Sequence, residues 1–328
     1  MTSLTSLEIC AGAGGQALGL ERAGFDHVAA VEIEAIACET LRANRPAWNV
    51  LNTDARNVSG RDYRGVDLFA GGVPCPPFSV AGKQLGEDDN RDLFPVALRM
   101  IQDAKPKAVL LENVPGLATS RFAPYRDTIR SALEGMGYEV FWQTLNASQF
   151  GVPQLRPRFV LVGLKGKAAK RFQWPEPLSL QKTVGASLLD LMAARGWAGA
   201  EPWALLANSI GPTLVGGSKL HGGPDLGPTR AKAAWRMLSV NGGGLADFAP
   251  DETVEVDHVP KLTVRMAARI QGFPDEWKLV GRKTAAYRQV GNAFPPPVAA
   301  AVGAAIRKAI EGASKPSQVQ AEISMRSA

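Results

Sequence analysis

The first half of the chain alternates short apolar runs with longer stretches of helical period, and this alternation limits the fold more than any other feature. Strands and helices that alternate in this way build βαβ units, in which helices cover both faces of a parallel sheet. The apolar runs predict strands at residues 6–10, 27–32, 66–70, 108–112 and 159–163. The periodic stretches predict helices at residues 15–22, 36–44, 93–104 and 125–136. The fold class that we expect is α/β, with a mostly parallel, doubly wound sheet.

The composition of the sequence changes after residue 165, and this change predicts a second domain. Residues 165–171 carry four basic residues, and Pro175 and Pro177 follow. Residues 196–244 contain 11 of the chain's 34 glycines, which predicts many loops and short strands at best. Regular structure is expected again at residues 264–270 and in an Ala-rich helix at residues 297–309, which needs a sheet to cover. We predict a large domain of residues 1–170 completed by residues 281–312, a small loop-rich domain of residues 171–280, and a disordered tail of residues 313–328.

Composition excludes several classes of protein. The 328 residues are 45% apolar and 21% charged, as in globular proteins, and no run of about 18 apolar residues could span a bilayer. The first residues lack the basic and apolar regions of a secretion signal, and three cysteines cannot all pair with one another, so we expect a reduced, cytoplasmic protein. The three histidines show no metal-ligand spacing, so no metal is expected. A net charge of +6 permits a polyanionic partner without demonstrating one.

A glycine-rich turn follows the first predicted strand. Residues 12–17, GAGGQA, fit the pattern G-x-G-x-x-G/A, and Glu32 lies 20 residues after Gly12 at the end of the second strand. Glycines there let a ligand approach the backbone at a helix N-terminus, and the carboxylate can accept hydrogen bonds from ribose hydroxyls. The turn therefore predicts a cofactor that contains a nucleoside. NAD and S-adenosylmethionine both present an adenosine ribose, so this motif alone does not choose between them.

A loop that contains a cysteine follows the third predicted strand. Residues 71–79 read GGVPCPPFS, so a proline stands on each side of Cys75. The prolines restrict the backbone and favour an extended Cys75, whose thiol would then point in a fixed direction. In an open α/β sheet, ligands bind outside the carboxyl ends of the strands, which is where this loop begins. We therefore predict that Cys75 is a nucleophile, whereas isolated cysteines such as Cys10 and Cys38 are usually inert.

Three further polar side chains are predicted near the same edge of the sheet. Glu112 ends an apolar strand, where its neighbours would raise its pKa and let it keep or share a proton. Arg156 and Arg158 stand at i, i+2 spacing just before the last predicted strand. Side chains two residues apart in an extended chain point the same way, so the two guanidinium groups could clamp a phosphate or a base carbonyl.

Taken together and in this order, the motifs resemble those of the C5-cytosine DNA methyltransferases. Besides the segments above, the resemblance covers Asp54, residues 79–84 (SVAGKQ), residues 112–114 (ENV), residues 265–274 (RMAARIQGFP) and residues 289–292 (QVGN). It extends over most of the chain, and residues 196–244 fall where that family keeps its variable target-recognition region. The resemblance implies a Rossmann-like, S-adenosylmethionine-dependent methyltransferase domain with a small, loop-rich target-recognition domain.

The resemblance also implies a reaction. The Cys75 thiolate would add to C6 of a cytosine flipped out of a specific double-stranded DNA sequence, which makes C5 nucleophilic. Glu112 would donate or share a proton at N3, Arg158 would hold the O2 side, and Arg156 joins them in the catalytic set. Methyl transfer from S-adenosyl-L-methionine to C5 would leave S-adenosyl-L-homocysteine and, after elimination of Cys75, 5-methylcytosine. No metal takes part.

Two further sets of candidate residues accompany the resemblance, and the second includes Lys219, His221, Arg230 and Lys232 because they are basic residues of the Gly-rich recognition region. The cofactor-binding set is Cys10, Gly12, Gly14, Gly15, Glu32, Ile33, Asp54, Ala55, Pro74, Leu93, Asn292 and Ala293. The DNA-binding set is Ser79, Lys83, Gln84, Lys219, His221, Arg230 and Lys232. The chain departs from the family at two positions. Cys10 stands where Phe is usual, which removes a face-on contact with adenine, and Pro76 stands where Gln is frequent, which removes a backbone N–H from the active-site loop.

Three alternatives share part of the pattern. A tRNA-directed cytosine-C5 methyltransferase would use the same catalytic residues, although the basic loops of the recognition region suit a grooved duplex better. An NAD-dependent oxidoreductase would use the same glycine-rich turn but would leave Cys75 and Glu112 without a shared role. A DNA-binding protein that has lost catalysis would need neither of them. The expected partners are double-stranded DNA and, in a restriction-modification system, a separate cognate endonuclease; we expect a monomer that does not contact a membrane.

Overall fold

A computed structural model describes residues 3–74, 92–217, 223 and 225–312 of the chain. The strands are β1 (Leu4–Ile9), β2 (Phe25–Glu32), β3 (Val50–Asn52), β4 (Leu68–Gly72), β5 (Ala108–Asn113), β6 (Glu139–Asn146) and β7 (Pro157–Leu164). They form one sheet in the order β3-β2-β1-β4-β5-β7-β6. The first five strands run parallel, whereas β7 lies antiparallel between β5 and β6. The carboxyl ends of β1, β2, β4 and β5 therefore meet at one edge of the sheet.

The helices are α1 (Gly15–Arg22), α2 (Ala35–Asn44), α3 (Phe94–Ala104), α4 (Ala123–Gly135), α5 (Gly166–Arg171), α6 (Val184–Ala193), α7 (Ala200–Leu206), α8 (Thr229–Arg236), α9 (Val264–Ile270), α10 (Lys283–Asn292) and α11 (Pro296–Glu311). No helix in the described part of the chain has the length and apolar character needed to cross a membrane.

The predicted α/β class with a mostly parallel, doubly wound sheet is confirmed. All five predicted strands and all five predicted helices occur, the regular structure expected at residues 264–270 is α9, and the ends differ from the predicted ones by at most two residues. The sequence does not predict β3, which has only three residues, or β6, whose side chains are mostly half-buried or exposed. Residues 196–244 were expected to hold many loops and short strands at best. They contain the helices α7 and α8, and their β-structure is limited, within the described residues, to isolated bridges.

The two faces of the sheet are buried in separate apolar clusters, because successive side chains of a strand point to opposite faces. On β1, Leu7 and Ile9 pack on the face that carries α3, together with Phe69 and Met100. The other face is covered by α1 and α11, whose apolar residues pack against β4, β5 and β7. Glu8 lies between Leu7 and Ile9 in the chain, and its side chain is therefore directed to the α1 side of the sheet.

A third apolar cluster consists mainly of buried side chains from residues 184–290. It contains the buried side chains of Trp203 and Trp235, and it also includes Ala13 and Leu18 from the glycine-rich turn and α1. Residues far apart in the sequence thus share one core. The division of the chain into domains at residues 170 and 281 stays a prediction.

Candidate active site

A cavity of about 410 Å³ opens at the carboxyl ends of β1, β2, β4 and β5. Six residues of the predicted cofactor-binding set line it: Cys10, Gly12, Gly15, Glu32, Asn292 and Ala293. Glu112 of the predicted catalytic set lines it as well, and so does Gly72 at the end of β4. The site therefore lies at the edge of the sheet where the sequence predicts it, and its far wall is supplied by α10.

The glycine-rich turn has a backbone that ordinary residues rarely adopt. Gly12 and Gly14 have φ angles of +54° and +84°, in the left-handed region that glycine enters without steric cost. A methyl group on Gly12 would meet no described atom within 4 Å, so this side of the turn is open. At Gly15, by contrast, a methyl carbon would lie 2.3 Å from the carbonyl oxygen of Phe294. The turn is thus open at Gly12 and closely packed against the start of α11 at Gly15.

The carboxylate of Glu32 is fixed at the cavity wall by two backbone donors. Its Oε2 accepts a hydrogen bond of 2.7 Å from the Gly12 N–H, and its Oε1 accepts one of 2.8 Å from the Glu34 N–H. Burial raises the pKa of Glu32, and these two hydrogen bonds oppose that shift. Each carboxylate oxygen has a second lone pair. Glu32 can therefore still accept a hydrogen bond from a hydroxyl group in the cavity.

Two polar side chains that the sequence reasoning did not identify also line the cavity. Glu8 is completely buried, and neither of its carboxyl oxygens has a hydrogen-bond partner among the described residues. Gln16 is 4% exposed, and its Nε2 likewise lacks a partner in the described part of the chain. Burial raises the pKa of Glu8 well above its usual range, and the negative charge of Glu32 adds to the effect. A carboxyl residue inside an apolar strand that leads into a glycine-rich turn is the signal that could have predicted Glu8.

Cys10 lies between the end of β1 and Gly12, with a φ angle of +54°. Burial raises the pKa of its thiol to about 12, and the charge of Glu32 contributes in the same direction. The thiol is therefore neutral, in keeping with the expectation that Cys10 is an inert residue and not a nucleophile.

The other members of the predicted cofactor-binding set do not line the cavity in the described part of the chain. Gly14 is packed inward, since a methyl group there would lie 2.7 Å from the Leu41 side chain. Asp54 caps a short turn by accepting a hydrogen bond from the Arg56 N–H, and this bond lowers its pKa. Pro74 and Leu93 are joined by a backbone hydrogen bond of 3.2 Å. The roles of these four residues, and of Ile33 and Ala55, stay predictions.

Glu112 and Arg158 form a buried ion pair at the edge of the cavity. The Arg158 Nε donates to the Glu112 Oε1 at 2.8 Å, and both side chains are about one-tenth exposed. Burial raises the pKa of Glu112, whereas the charges of Arg158 and Arg156 oppose that shift. Glu112 stands directly beside Gly72 in the β4–β5 ladder. Asn113 strengthens this link, because its Nδ2 donates to the carbonyl oxygen of Val73 at 2.7 Å.

The prediction that Arg156 and Arg158 form one clamp is wrong. Arg156 is completely buried, and its guanidinium group donates to the backbone carbonyls of Leu214 at 2.8 Å, Gly291 at 2.7 Å and Ala293 at 3.0 Å. Arg156 precedes β7, so the alternation of an extended strand does not fix its direction, and three backbone carbonyls hold it inside the protein. Arg158 alone faces Glu112.

Several predicted residues lie outside the described residues: Cys75, Ser79, Lys83, Gln84, Lys219 and His221. Arg230 is exposed on α8. Lys232, on the same helix, pairs with Asp225 at 2.7 Å. The DNA contacts assigned to Arg230 and Lys232 stay predictions. Across the described residues, no group of three or more His, Cys, Asp and Glu side chains could hold a metal ion.

Comparison with known proteins identifies the family. The sequence profile described as C-5 cytosine-specific DNA methylase matches residues 4–210 and 226–308. Type II methyltransferase M.NaeI of Lentzea aerocolonigenes is 57% identical over 314 residues, which cover 94% of this chain and 76% of that protein. Type II methyltransferase M.NgoMIV of Neisseria gonorrhoeae is 52% identical over 315 residues, which cover 94% of this chain and 98% of that protein.

Solved structures show the same fold. A putative DNA modification methyltransferase encoded within a prophage (E. coli) has a TM-score of 0.67 at 23% identity, and the match covers 94% of this chain and 100% of that one. The Dnmt2 methyltransferase of S. pombe has a TM-score of 0.64 at 19% identity, with the same coverage. The family match and the close relatives confirm the prediction of an S-adenosylmethionine-dependent DNA (cytosine-5-)-methyltransferase over its alternatives. The chain belongs to the C-5 cytosine-specific DNA methylase family.

Proposed function

We propose that the cavity binds S-adenosylmethionine and that Cys75, Glu112 and Arg158 act on a cytosine turned out of double-stranded DNA. The observation that carries this proposal is the buried Glu112–Arg158 pair, which borders the same cavity as Gly12 and Glu32. A buried carboxyl group with its arginine partner and the proposed nucleoside site therefore share one space. Methyl transfer from a nucleoside cofactor to a base requires that proximity.

The residues of the cavity fit S-adenosylmethionine. Its volume of about 410 Å³ lies within the range of small-molecule sites. The open backbone at Gly12 and the fixed carboxylate of Glu32 suit a nucleoside with free ribose hydroxyls. The unpaired carboxyl group of Glu8 and the unpaired amide of Gln16 suit the charged amino-acid chain. When bound, this cofactor supplies an electrophilic methyl group.

Cys75 is proposed as the nucleophile that activates the base. The described residue before it in the chain is Pro74, two residues after Gly72, and Gly72 stands beside Glu112. Addition of the Cys75 thiolate to C6 of cytosine forms a carbon–sulfur bond and moves the electron pair of the C5–C6 bond to C5. The base then carries a nucleophilic C5, which takes up the methyl group. Loss of the C5 proton and departure of the Cys75 thiolate restore the aromatic ring.

Glu112 and Arg158 stabilise the charge that develops on the base. The raised pKa of Glu112 lets its carboxyl group keep or share a proton with N3, where electron density accumulates after the thiolate adds. Arg158 holds Glu112 in place through its Nε and can present its remaining N–H groups to O2 of the base. Arg156 is proposed as a positioning residue, since its guanidinium group holds the backbone at Leu214, Gly291 and Ala293.

The DNA is proposed to bind across the recognition region and the cavity. A base inside a duplex cannot reach a buried carboxyl group, so the target cytosine must leave the stack, at a cost of a few kcal/mol. The relatives are named Type II methyltransferases. We infer that this protein works in the cytoplasm beside a separate endonuclease, and that its product protects host DNA from cleavage.

The covalent step can be tested directly with a mechanism-based trap. DNA fragments of mixed sequence that contain 5-fluorocytosine are incubated with the protein and S-adenosylmethionine, and the adduct is mapped by mass spectrometry. We expect a stable adduct on the peptide that contains Cys75, because fluorine at C5 prevents the loss that frees the enzyme. Cys75→Ala is expected to give no adduct, whereas Cys38→Ala, at a completely buried cysteine, is expected to react as the wild type does. An adduct at another residue, or turnover by Cys75→Ala, would refute the assignment.

The role of Glu112 can be separated from that of Cys75. Glu112→Gln keeps the shape of the side chain but cannot donate a carboxyl proton, so we expect the methylation rate to fall by about 10²- to 10⁴-fold. Labelled methyl transfer to DNA and to tRNA, followed by bisulfite sequencing, measures the rate and the substrate together. Wild-type rates in the variant would remove Glu112 from the mechanism, and transfer to tRNA alone would remove DNA as the substrate.

A further inference from the structure

We infer that Trp277 is a positioning residue for the cofactor: its indole N–H fixes the backbone of the glycine-rich turn before the cofactor binds. This inference rests on the proposed location of the S-adenosylmethionine site. Trp277 is 1% exposed, and its Nε1 donates to the carbonyl oxygen of Ala13 at 3.1 Å. Ala13 is the residue between Gly12 and Gly14, and it lines the cavity. A residue 264 positions away in the sequence therefore sets the peptide orientation in the middle of the turn.

The ring of Trp277 also limits the space behind the turn. A methyl group at Gly14 would lie 3.0 Å from the Trp277 Cζ2 atom. Phe273 stacks on Trp277 with ring centroids 6.0 Å apart, and its Cζ would be 3.4 Å from a methyl group at Gly15. The two aromatic rings thus form the surface on which Gly14 and Gly15 rest.

Trp277 is itself held in place by the residues that follow it. The Lys278 N–H donates to the Asn44 Oδ1 at 2.8 Å, and the Asn44 Nδ2 donates to the Lys278 carbonyl at 2.7 Å. Two residues further on, the Val280 N–H donates to the Thr40 Oγ1 at 3.0 Å. Thr40 and Asn44 belong to α2, so this segment is fixed to a helix of the sheet domain.

A cation also lies close to the ring of Trp277. The Arg45 guanidinium group lies 5.2 Å from the centroid of the Trp277 ring, and it forms hydrogen bonds of 2.7 Å with each carboxylate oxygen of Glu21. Glu21 lies on α1, the helix that begins directly after the turn. The indole is therefore linked to α1 through Arg45 and to α2 through the residues that follow it, and these links limit its freedom to turn away from Ala13.

This arrangement matters because the turn is rich in glycine. Gly12 and Gly14 can adopt many backbone conformations, so a turn without external support would lose much conformational entropy when a ligand orders it. The hydrogen bond to Ala13 removes part of that freedom in advance, which lowers the entropic cost of binding. Trp277 comes from residues 171–280, which we predict to recognise the target, so cofactor affinity depends on that part of the chain as well.

The inference is tested by comparing two buried tryptophans. Trp277→Phe keeps an aromatic ring and removes the donor to Ala13. The matched control is Trp203→Phe: Trp203 is 2% exposed, and its Nε1 donates to the Ser239 carbonyl at 3.0 Å, away from the cavity. Isothermal titration of full-length protein with S-adenosylhomocysteine gives the Kd, thermal unfolding gives the Tm, and steady-state methylation gives KM for the cofactor and kcat.

Both variants lose one buried hydrogen bond, so we expect similar losses of Tm. Only Trp277→Phe should raise the Kd for S-adenosylhomocysteine, by about 3- to 10-fold, which is the effect expected for one hydrogen bond. Its KM for the cofactor should rise similarly, and kcat at saturating cofactor should stay within about twofold, because Ala13 touches no reacting atom of the base. An unchanged Kd in Trp277→Phe, or an equal rise in both variants, would overturn the inference.

A second variant keeps the test valid if Trp277→Phe does not fold. Asn44→Ala releases Lys278 from α2 without changing the aromatic cluster, and we expect it to raise the Kd by about twofold. Failure of the wild-type protein to bind S-adenosylhomocysteine would refute the proposed cofactor site itself. Binding by the wild type with no change in either variant would refute only the role of Trp277.

Discussion

At the scale of single residues, Glu8 makes the stability of the protein depend on pH. Its carboxyl group is completely buried, and its oxygens have no partner in the described part of the chain, so burial raises its pKa well above the usual value of 4.5. The native state therefore keeps the Glu8 proton at pH values where the unfolded chain has lost it. The stabilisation that comes from this proton is complete below pH 4.5 and is lost as pH rises towards the raised pKa.

Glu8→Gln should remove this dependence, because an amide of the same shape does not titrate. We expect the difference in free energy of unfolding, variant minus wild type, to increase as pH rises from 5 to 8. This difference should change by at most about 1.4 kcal/mol per pH unit. Urea unfolding at several pH values measures the difference. Glu134→Gln, at an exposed position on α4, is the control and should run parallel to the wild type. Parallel curves for Glu8→Gln would contradict the burial of an unpaired acid.

At the scale of the elements, α1 and α11 approach each other closely because small residues line their contact. A methyl carbon at Gly19 would lie 2.4 Å from the Ala299 Cβ and 2.6 Å from the Pro296 carbonyl oxygen. Gly19 lies on α1, and Pro296 and Ala299 lie in the first turn of α11. The same contact places Gly15 against Phe294 and so fixes the position of the glycine-rich turn.

Gly19→Ala should destabilise the protein even though alanine favours a helix. The gain in helix propensity is about 1 kcal/mol, whereas overpacking against a backbone carbonyl costs about 1 to 3 kcal/mol and also moves α1. We expect a lower urea midpoint and weaker cofactor binding. Gly135→Ala is the control, since Gly135 ends α4 and a methyl group there would meet nothing within 4 Å. It should be neutral or slightly stabilising, and a similar loss in both variants would argue against close packing at Gly19.

At the scale of the whole molecule, a buried polar junction of Gln154, Arg156 and Gln271 joins distant parts of the chain. The Gln154 Oε1 accepts from the Leu214 N–H at 2.8 Å, and its Nε2 donates to the Gln271 Oε1 at 2.8 Å. Arg156 donates to backbone carbonyls on both sides of Asn292, and Gln271 also donates to one of them, that of Ala293. The junction therefore connects the start of β7, the loop at residue 214 and the wall of the cavity.

Replacement of Arg156 by methionine should weaken this connection strongly. Arg156→Met leaves the carbonyls of Leu214, Gly291 and Ala293 buried without this donor, so we expect the free energy of unfolding to fall by about 3 to 5 kcal/mol. Arg171→Met is the control, because Arg171 also donates to two backbone carbonyls, those of Ala309 and Ile310, but at the surface. It should lose about 1 kcal/mol or less. Equal losses in urea unfolding would show that the junction has no special role.

The sequence by itself determined what depends on local chemistry and on period. Apolar runs of strand length and periodic helical stretches fixed the α/β class, because a chain must bury such faces in layers. The glycine pattern at residues 12–17 and the positions of Glu32 and Glu112 at strand ends predicted the cavity, since the carboxyl ends of parallel strands meet at one edge. The edge strand β6 and the helices between residues 184 and 236 were missed, and at residues 196–244 this happened because the high glycine content favoured loops over helices.

Only the tertiary structure decided which partners the polar side chains hold. Their spacing suggested that Arg156 and Arg158 act together. In the structure, Arg156 donates to three backbone carbonyls from distant segments, whereas Arg158 pairs with Glu112. No pattern in the sequence places the indole of Trp277 on Ala13. The physical reason is that a hydrogen bond depends on distance and direction in space, and groups hundreds of residues apart reach those distances only when the whole chain has packed.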